Sequence, residues 1–334
     1  MIYLTVGQGL APAEKAFDLK RLSCRRDFMN ILESIMDALK FAYRQKAAVY
    51  RVGEVLTSIF AGGFHPKRII AFFIAFFEMF VGIADRGLTP LGQELNLDGY
   101  SLVMFDDFDG DTLNTDLWYY RGIGTRRAGY TWSDQVKVEN GNLIITAEYL
   151  EDGHFGAGWY AGKIGTVKKY NKGYFEIRCK CNDGGEIWSA FWTMPEDGID
   201  PYNHYTSQGG VGGAEMDIFE APFATEFGGL RNSVSQTIHC NGVDDDVENI
   251  DSRCLGFFKG KNIYDEYNTY GLEWTEDEYI FYINGVETAR TTYENGTCDV
   301  NEEVIVSLEL PDEITFDHDY STQFVVDYVK IWQK

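Results

Sequence analysis

Three carboxylates stand close together in the segment Gly212 to Pro222, which reads GGAEMDIFEAP. Glu215, Asp217 and Glu220 are spaced E-x-D-x-x-E, and apolar residues fill most of the positions between them. Side chains alternate between the faces of a regular strand, so Glu215 and Asp217 share a face while Glu220 points away. One extra residue, a β-bulge, would return Glu220 to the face of the other two.

A row of acids on an apolar strand is costly, because close negative charges raise the pKa of one of them. A buried charge is also unstable without a partner. Such a row supplies a carboxylic acid and a carboxylate side by side near neutral pH. That pair is what retaining glycoside hydrolysis needs. An ordinary surface strand is the alternative interpretation.

This segment resembles the catalytic strand of glycoside hydrolase family 16 in its bulged form, the form of laminarinases, agarases and carrageenases. The resemblance implies that Glu215 is the nucleophile and Glu220 the acid/base. Asp217 would be the helper that holds a proton or a hydrogen bond between them. Further segments similar to the family follow in its order: Val103–Gly110, Asn140–Ile145, Gly173–Arg178, Ile187–Pro195, Val234–His239, Tyr270–Thr275 and Val326–Trp332.

The second part of the chain has the pattern of an all-β domain. From Tyr100 onward, short alternating runs recur between turn residues, and Asn140-Gly141 predicts a tight hairpin. The resemblance implies a jelly-roll sandwich of two bent antiparallel sheets with an open cleft, which favours internal cleavage of a polysaccharide. We therefore assign residues 99–334 to the catalytic domain.

Residues 1–98 resemble nothing in the family, and their pattern predicts a helical segment followed by a linker. Apolar residues between 27 and 60 recur at helical spacing. The apolar run 69–84 follows two basic residues and is interrupted by Glu78, and it is short for a membrane span.

Three interpretations of this run stay open. It is the core of a signal sequence, a signal anchor that contacts the membrane through residues 67–84, or a helix packed against 27–60. Basic residues precede it and an acidic domain follows, so the expected location is extracellular or membrane-anchored with the catalytic domain outside.

The charge of the chain is strongly asymmetric. Residues 1–98 carry 12 Lys and Arg against 10 Asp and Glu, whereas the remainder carries 17 against 42. An acidic body repels nucleic acid and anionic lipid surfaces. The same repulsion, with few basic residues near the motif, argues against sulfated polysaccharides and favours a neutral β-glucan.

Three further residues are candidates for contact with sugar. Trp188 and Trp192 lie four apart on one strand and so share a face, and tryptophans of this strand line the cleft in the family. An aromatic ring suits the apolar face of a pyranose. His239 stands where the family has a cleft histidine, which predicts a neighbour of the substrate or of the acid/base.

No cofactor is expected for catalysis, but the resemblance implies a structural calcium ion. The matching positions are Asp107, Gly141 and Asp327, and oxygen ligands suit calcium.

The six cysteines form no zinc pattern. Cys179 and Cys181 point the same way along a strand and are poorly placed to bond each other. Cys240 and Cys254 bracket an acidic loop. They either form a disulfide that closes the loop or remain free thiols.

The sequence thus predicts a retaining, endo-acting hydrolase of β-1,3-linked glucan, laminarin-like or mixed β-1,3/1,4, and a monomer. The alternatives are an agarase or another galactan hydrolase of the same fold, a transglycosylase, and a non-catalytic glycan-binding module. Two departures from many laminarinases leave the substrate open. Many laminarinases have a Gly-rich stretch that contains a Trp, and the run 304–311 stands in its place here. The loop 196–213 is also long.

Overall fold

The computed structural model describes residues 88–183, 186–195, 213–221, 232–241, 250–291 and 297–334. The predictions for the N-terminal helical segment and for the apolar run 69–84 lie outside the described residues. Within the described ranges, no helix is long and apolar enough to cross a membrane.

The described chain forms two antiparallel sheets, as predicted for a jelly roll. The strands are β1 Ser101–Asp106, β2 Trp118–Tyr120, β3 Gly124–Arg126, β4 Gly129–Thr131, β5 Val136–Glu139, β6 Asn142–Leu150, β7 Gly158–Ala161, β8 Lys163–Thr166, β9 Gly173–Lys180, β10 Trp188–Pro195, β11 Glu215–Ala221, β12 Ser233–Asn241, β13 Ile250–Lys259, β14 Asn268–Trp274, β15 Tyr279–Ile283, β16 Val286–Thr291, β17 Glu302–Glu309 and β18 Ser321–Gln333. The one helical element in these ranges is a short 3-10 turn, Ser133–Gln135.

The seven-stranded sheet has the order β13-β12-β11-β10-β17-β8-β2, and it carries the three carboxylates on β11. The eleven-stranded sheet has the order β16-β15-β14-β9-β18-β6-β7-β4-β3, with β1 on β18 and β5 on β6. All of these pairings are antiparallel except β4 with β7. The carboxylates therefore lie on a central strand, held by a neighbour on each side.

The hydrophobic core lies between the two sheets. Phe219 of β11 packs against Tyr270 of β14 at 4.3 Å and against Phe324 of β18 at 6.0 Å between ring centroids. All three rings are fully buried. One face of β11 thus packs against the core, and its polar side chains lie on the opposite face.

The predicted hairpin at Asn140-Gly141 is present. Both residues have positive φ, 54° and 70°, and Glu139 of β5 pairs with Asn142 of β6. Two successive left-handed residues are what a tight two-residue hairpin turn requires, and Asn and Gly adopt this conformation at low cost.

The segment before β1 is already attached to the β-domain. Leu88 exchanges backbone hydrogen bonds with β13, through Phe257 and Lys259, and Leu95 donates one to Gly285. The boundary near residue 98 stays a prediction, although these contacts begin at residue 88.

Of the two interpretations left open for Cys240 and Cys254, the structure favours free thiols over a disulfide, because Cys254 is a free thiol. The register places Cys254 opposite Thr237 and Cys240 opposite Asp251, so the two cysteines lie at different levels of the β12–β13 ladder. Cys179 and Cys181 are also free, as their positions on one strand predict.

Candidate active site

The predicted β-bulge is present in β11. Asp217 pairs with Thr237 and Glu220 pairs with Ser235. Between these two pairs β11 advances by three residues and β12 by two, so β11 contains one extra residue. The β10 side shifts at the same place, because Phe219 is opposite Phe191 while Asp217 is opposite Trp192. The extra residue lets Phe219 enter the core and returns Glu220 to the polar face.

His239 of β12 lies directly opposite Glu215 in the register. Its Nε2 is 2.9 Å from Oδ2 of Asp217. A Glu215 oxygen, an Asp217 oxygen and a ring nitrogen of His239 all lie within 4.8 Å of one another. Asp217 is buried, whereas Glu215 and His239 are partly exposed. The bulged strand and its neighbour thus bring the two carboxylates and the histidine into one cluster.

Burial raises the pKa of Glu220 well above its usual range, and the negative charges of Asp217 and Glu215 raise it further. The charge of His239 and the hydrogen bond from Trp188 act in the opposite direction. The net direction favours the protonated form of Glu220, which is the form that a general acid needs.

Burial alone would lower the pKa of His239. Its hydrogen bond to Asp217 and the charges of Asp217, Glu215 and Glu220 outweigh burial and raise that pKa to about 9. His239 is therefore an imidazolium at neutral pH, and it partly offsets the negative charges of Glu215 and Asp217.

The two tryptophans of β10 share a face, as predicted, but their environments differ. Trp188 is half-buried, and its Nε1 donates a hydrogen bond of 2.8 Å to Oε1 of Glu220. Trp192 is only 6% exposed, and its Nε1 donates to Oγ of Ser307 at 3.0 Å. Trp188 thus contacts the predicted acid/base directly, whereas Trp192 has little surface left for a sugar.

Strand β17 places a row of side chains beside these tryptophans. Trp188 pairs with Glu309 and Trp192 pairs with Ile305 in the β10–β17 ladder. Glu309 forms ion pairs with Lys163 of β8 and Arg126 of β3, and Lys163 and Arg126 hold its pKa at about 2 against the effect of burial. Glu309, whose orientation the sequence did not reveal, therefore anchors a buried cluster of charges.

A second group of charges surrounds Glu303, also on β17. Arg121 lies 2.8 Å and Lys169 3.1 Å from its carboxylate, and the Tyr119 hydroxyl donates a hydrogen bond to it. The guanidinium of Arg121 stacks 5.4 Å from the ring centroid of Trp192. Few basic residues lie near the acidic motif in the sequence. The cations next to the tryptophans come instead from β8 and from the segments next to β2 and β9, and Glu303 and Glu309 balance them.

Arg127 differs from the other basic residues of this face. It is exposed, and its guanidinium lies 4.7 Å from the ring centroid of Trp188. Among the described residues it forms no ion pair. The hairpin that carries it is fixed, because Arg126 binds Glu309 and Ala128 donates a backbone hydrogen bond to Pro311. An exposed cation therefore lies over the ring of the tryptophan that contacts Glu220.

One of the predicted calcium ligands, Asp327, is already paired with a basic side chain. Its carboxylate accepts a hydrogen bond from Arg178, whose positive charge would have to move before a cation could bind there. Gly141 lies in the hairpin turn, where a carbonyl could serve as a ligand. A calcium ion held by Asp107, Gly141 and Asp327 stays a prediction.

Comparison with known proteins points to one family. The family described as Beta-porphyranase A-D, GH16 domain, matches residues 102–334. The chain is 29% identical over 208 residues to the glucan endo-1,3-beta-glucosidase A1 of Niallia circulans, covering 56% of this chain and 29% of the relative. It is 30% identical over 161 residues to the endo-1,3-1,4-beta-glycanase ExsH of Rhizobium meliloti, covering 46% and 29%.

The chain thus spans less than a third of the length of these two relatives. Among solved structures it is similar to SCLam, a non-specific endo-beta-1,3(4)-glucanase, with a TM-score of 0.58 and 21% identity. That match covers 74% of this chain and 97% of the other, and it supports the fold. The ordered sheets, the bulged acidic strand and the match over residues 102–334 together place this chain in glycoside hydrolase family 16.

Proposed function

We propose that this protein is a retaining, endo-acting hydrolase of β-1,3-linked glucan, laminarin-like or mixed β-1,3/1,4. The observation that carries the proposal is the bulged strand β11, which puts Glu215, Asp217 and Glu220 on one face next to His239. The names of the Niallia and Rhizobium relatives, a glucan endo-1,3-beta-glucosidase and an endo-1,3-1,4-beta-glycanase, support a β-glucan as the substrate.

In the first step, an oxygen of Glu215 attacks the anomeric carbon while Glu220 donates its proton to the leaving glycosidic oxygen. The bond to the leaving sugar breaks and a glycosyl ester forms on Glu215. In the second step, Glu220 takes a proton from water, the water oxygen attacks the same carbon, and the ester bond breaks. Two inversions retain the configuration, and a carboxyl separation of about 5–5.5 Å is expected.

The neighbouring residues have distinct parts in this scheme. Asp217 raises the pKa of Glu220 by its charge, which keeps the acid protonated for the first step. His239 holds Asp217 through the 2.9 Å contact. Trp188 orients Glu220 through its indole N–H and offers the accessible part of its half-buried ring to a sugar.

A second candidate substrate is a sulfated galactan, with the same mechanism. The matching family model is that of porphyranases, and Arg127 presents an exposed guanidinium over Trp188, where it can bind an anionic substituent. Arg121, Arg126 and Lys163 also lie on this part of the sheet, but each is paired with Glu303 or Glu309, so Arg127 is the cation that supports this candidate.

The test is reducing-sugar release by the full chain from laminarin, mixed-linkage β-glucan, agarose, porphyran and κ-carrageenan. The Glu215→Gln variant is the control for chemistry, and Arg127→Gln is the control for charge recognition. Cleavage of laminarin that disappears in Glu215→Gln supports the glucanase. Cleavage of porphyran alone, weakened in Arg127→Gln, would support the second candidate. A folded protein that cleaves none of them contradicts both.

A further inference from the structure

A carboxyl group that the mechanism above does not use lies on the core side of the catalytic strand. Glu302, the first residue of β17, is 1% exposed. Among the described residues it has no cationic partner. A buried carboxyl without a counter-charge is costly, so its hydrogen bonds must stabilise it.

Three donors from three different segments converge on Glu302. Its Oε1 accepts a 3.0 Å hydrogen bond from the backbone N–H of Ala214. The thiol of Cys298 lies 3.3 Å from the same oxygen. The Thr193 hydroxyl bonds to Oε2. Ala214 immediately precedes Glu215, so Glu302 is one peptide away from the predicted nucleophile.

The surroundings of Glu302 are themselves fixed. Its backbone exchanges two hydrogen bonds of 2.8 Å with Tyr170. Cys298 is buried, and its N–H donates to the Tyr279 hydroxyl at 2.7 Å. Thr193 lies opposite Met216 in the β10–β11 ladder. The side chain therefore has little freedom, and a fixed acceptor can hold the peptide that begins β11.

The contact with Ala214 does not depend on the charge of Glu302. Burial raises the pKa of this carboxyl to about 7, although the bonds from Ala214, Thr193 and Cys298 favour the ionised form. When the acid is protonated, Oε2 can donate to the Thr193 hydroxyl, because a hydroxyl accepts as well as donates. Oε1 stays an acceptor for Ala214 in both states.

We infer that Glu302 is a positioning residue for the nucleophile: it holds the Ala214 peptide from the core side and so fixes where Glu215 enters the cleft. The inference rests on the proposed role of Glu215. Its effect on catalysis follows from geometry, since a displacement of about 1 Å at a reacting group can cost on the order of 10²-fold in rate.

Two variants of the full chain separate position from charge. Glu302→Gln removes the charge but keeps an oxygen that can accept from Ala214. Glu302→Asp keeps the carboxyl but withdraws it by one carbon–carbon bond, about 1.5 Å. For each variant, kcat and KM are measured on the polysaccharide that the wild type cleaves, per mole of folded protein. Amide hydrogen exchange is followed over residues 213–217.

We expect the kcat of Glu302→Gln to stay within about threefold of the wild-type value. The kcat of Glu302→Asp should fall by about tenfold or more, with KM unchanged. Exchange at Ala214 speeds up in Glu302→Asp and not in Glu302→Gln. Equal kcat in the two variants, or a better Glu302→Asp, would overturn the inference. If the wild type cleaves nothing, the proposed function has failed, and the exchange comparison still decides whether Glu302 holds this peptide.

Discussion

His239 should make the stability of this protein depend on pH in a defined window. Its pKa rises from 6.5 to about 9 on folding, because Asp217 accepts its hydrogen bond and three acids surround it, against the effect of burial. The folded state therefore binds a proton more tightly than the unfolded state. The stabilisation is complete below pH 6.5 and is lost as pH rises through about 9.

The size of the effect follows from the shift. One pKa unit corresponds to about 1.4 kcal/mol, so the rise from 6.5 to about 9 gives an upper value of about 3.5 kcal/mol. Because the His239 side chain is 27% exposed, solvent screening reduces the expected value to about 2 kcal/mol.

The assay is urea unfolding of the wild type and of His239→Gln, at about pH 6 and about pH 9.5. The amide of Gln can still donate to Asp217 but does not titrate, so the variant lacks this contribution to the pH dependence. We expect the stability difference between the two proteins to shrink by about 2 kcal/mol at the higher pH. Groups that do not interact with His239 titrate alike in both proteins and cancel; Glu220, whose pKa the charge of His239 lowers, does not. The same difference at both pH values would refute the reasoning.

Three further predictions follow from other contacts. Trp188→Phe removes a donor to Glu220, worth about 1.5–3 kcal/mol for a charged acceptor, and should move the alkaline limb of the kcat/KM profile to higher pH. Trp192→Phe, which loses a bond to Ser307 only, should leave that limb in place, and a shared shift would count against the contact. Glu309→Gln leaves Lys163 buried without its partner and should cost about 3–5 kcal/mol in urea unfolding. Glu266→Gln, which breaks the exposed pair with Lys261, should leave the urea midpoint almost unchanged, and a loss equal to that of Glu309→Gln would contradict the burial argument. Because Cys179, Cys181, Cys254 and Cys298 are free, iodoacetamide should label all four in the unfolded protein without prior reduction, and an unlabelled one would reveal a disulfide.

The sequence predicted those features that are set by short-range pattern. The alternation of β11 predicted the shared face of Glu215 and Asp217, and the third acid required the bulge that the register shows. Asn140-Gly141 predicted the hairpin because both residues adopt positive φ readily.

The features that it missed depend on which strands become neighbours. Glu309 meets Lys163 and Arg126 from distant segments, and no spacing in the sequence connects them. Glu302 and Glu309 lie seven apart on β17, so they face opposite sides of the sheet, one towards the core and one towards Trp188. Cys254 and Cys240 flank one loop, but the ladder register places Cys254 opposite Thr237. Each of these outcomes is fixed by pairing across the sheet.

The most direct test of the account is the anomeric configuration of the first product, read by proton NMR during the first minutes of hydrolysis of the preferred β-linked polysaccharide. Double displacement by Glu215 and Glu220 predicts that the new reducing end forms as the β-anomer and then mutarotates. It also predicts that Glu215→Gln forms no product. First appearance of the α-anomer, or undiminished cleavage by Glu215→Gln, would contradict the assignment of Glu215 as the nucleophile.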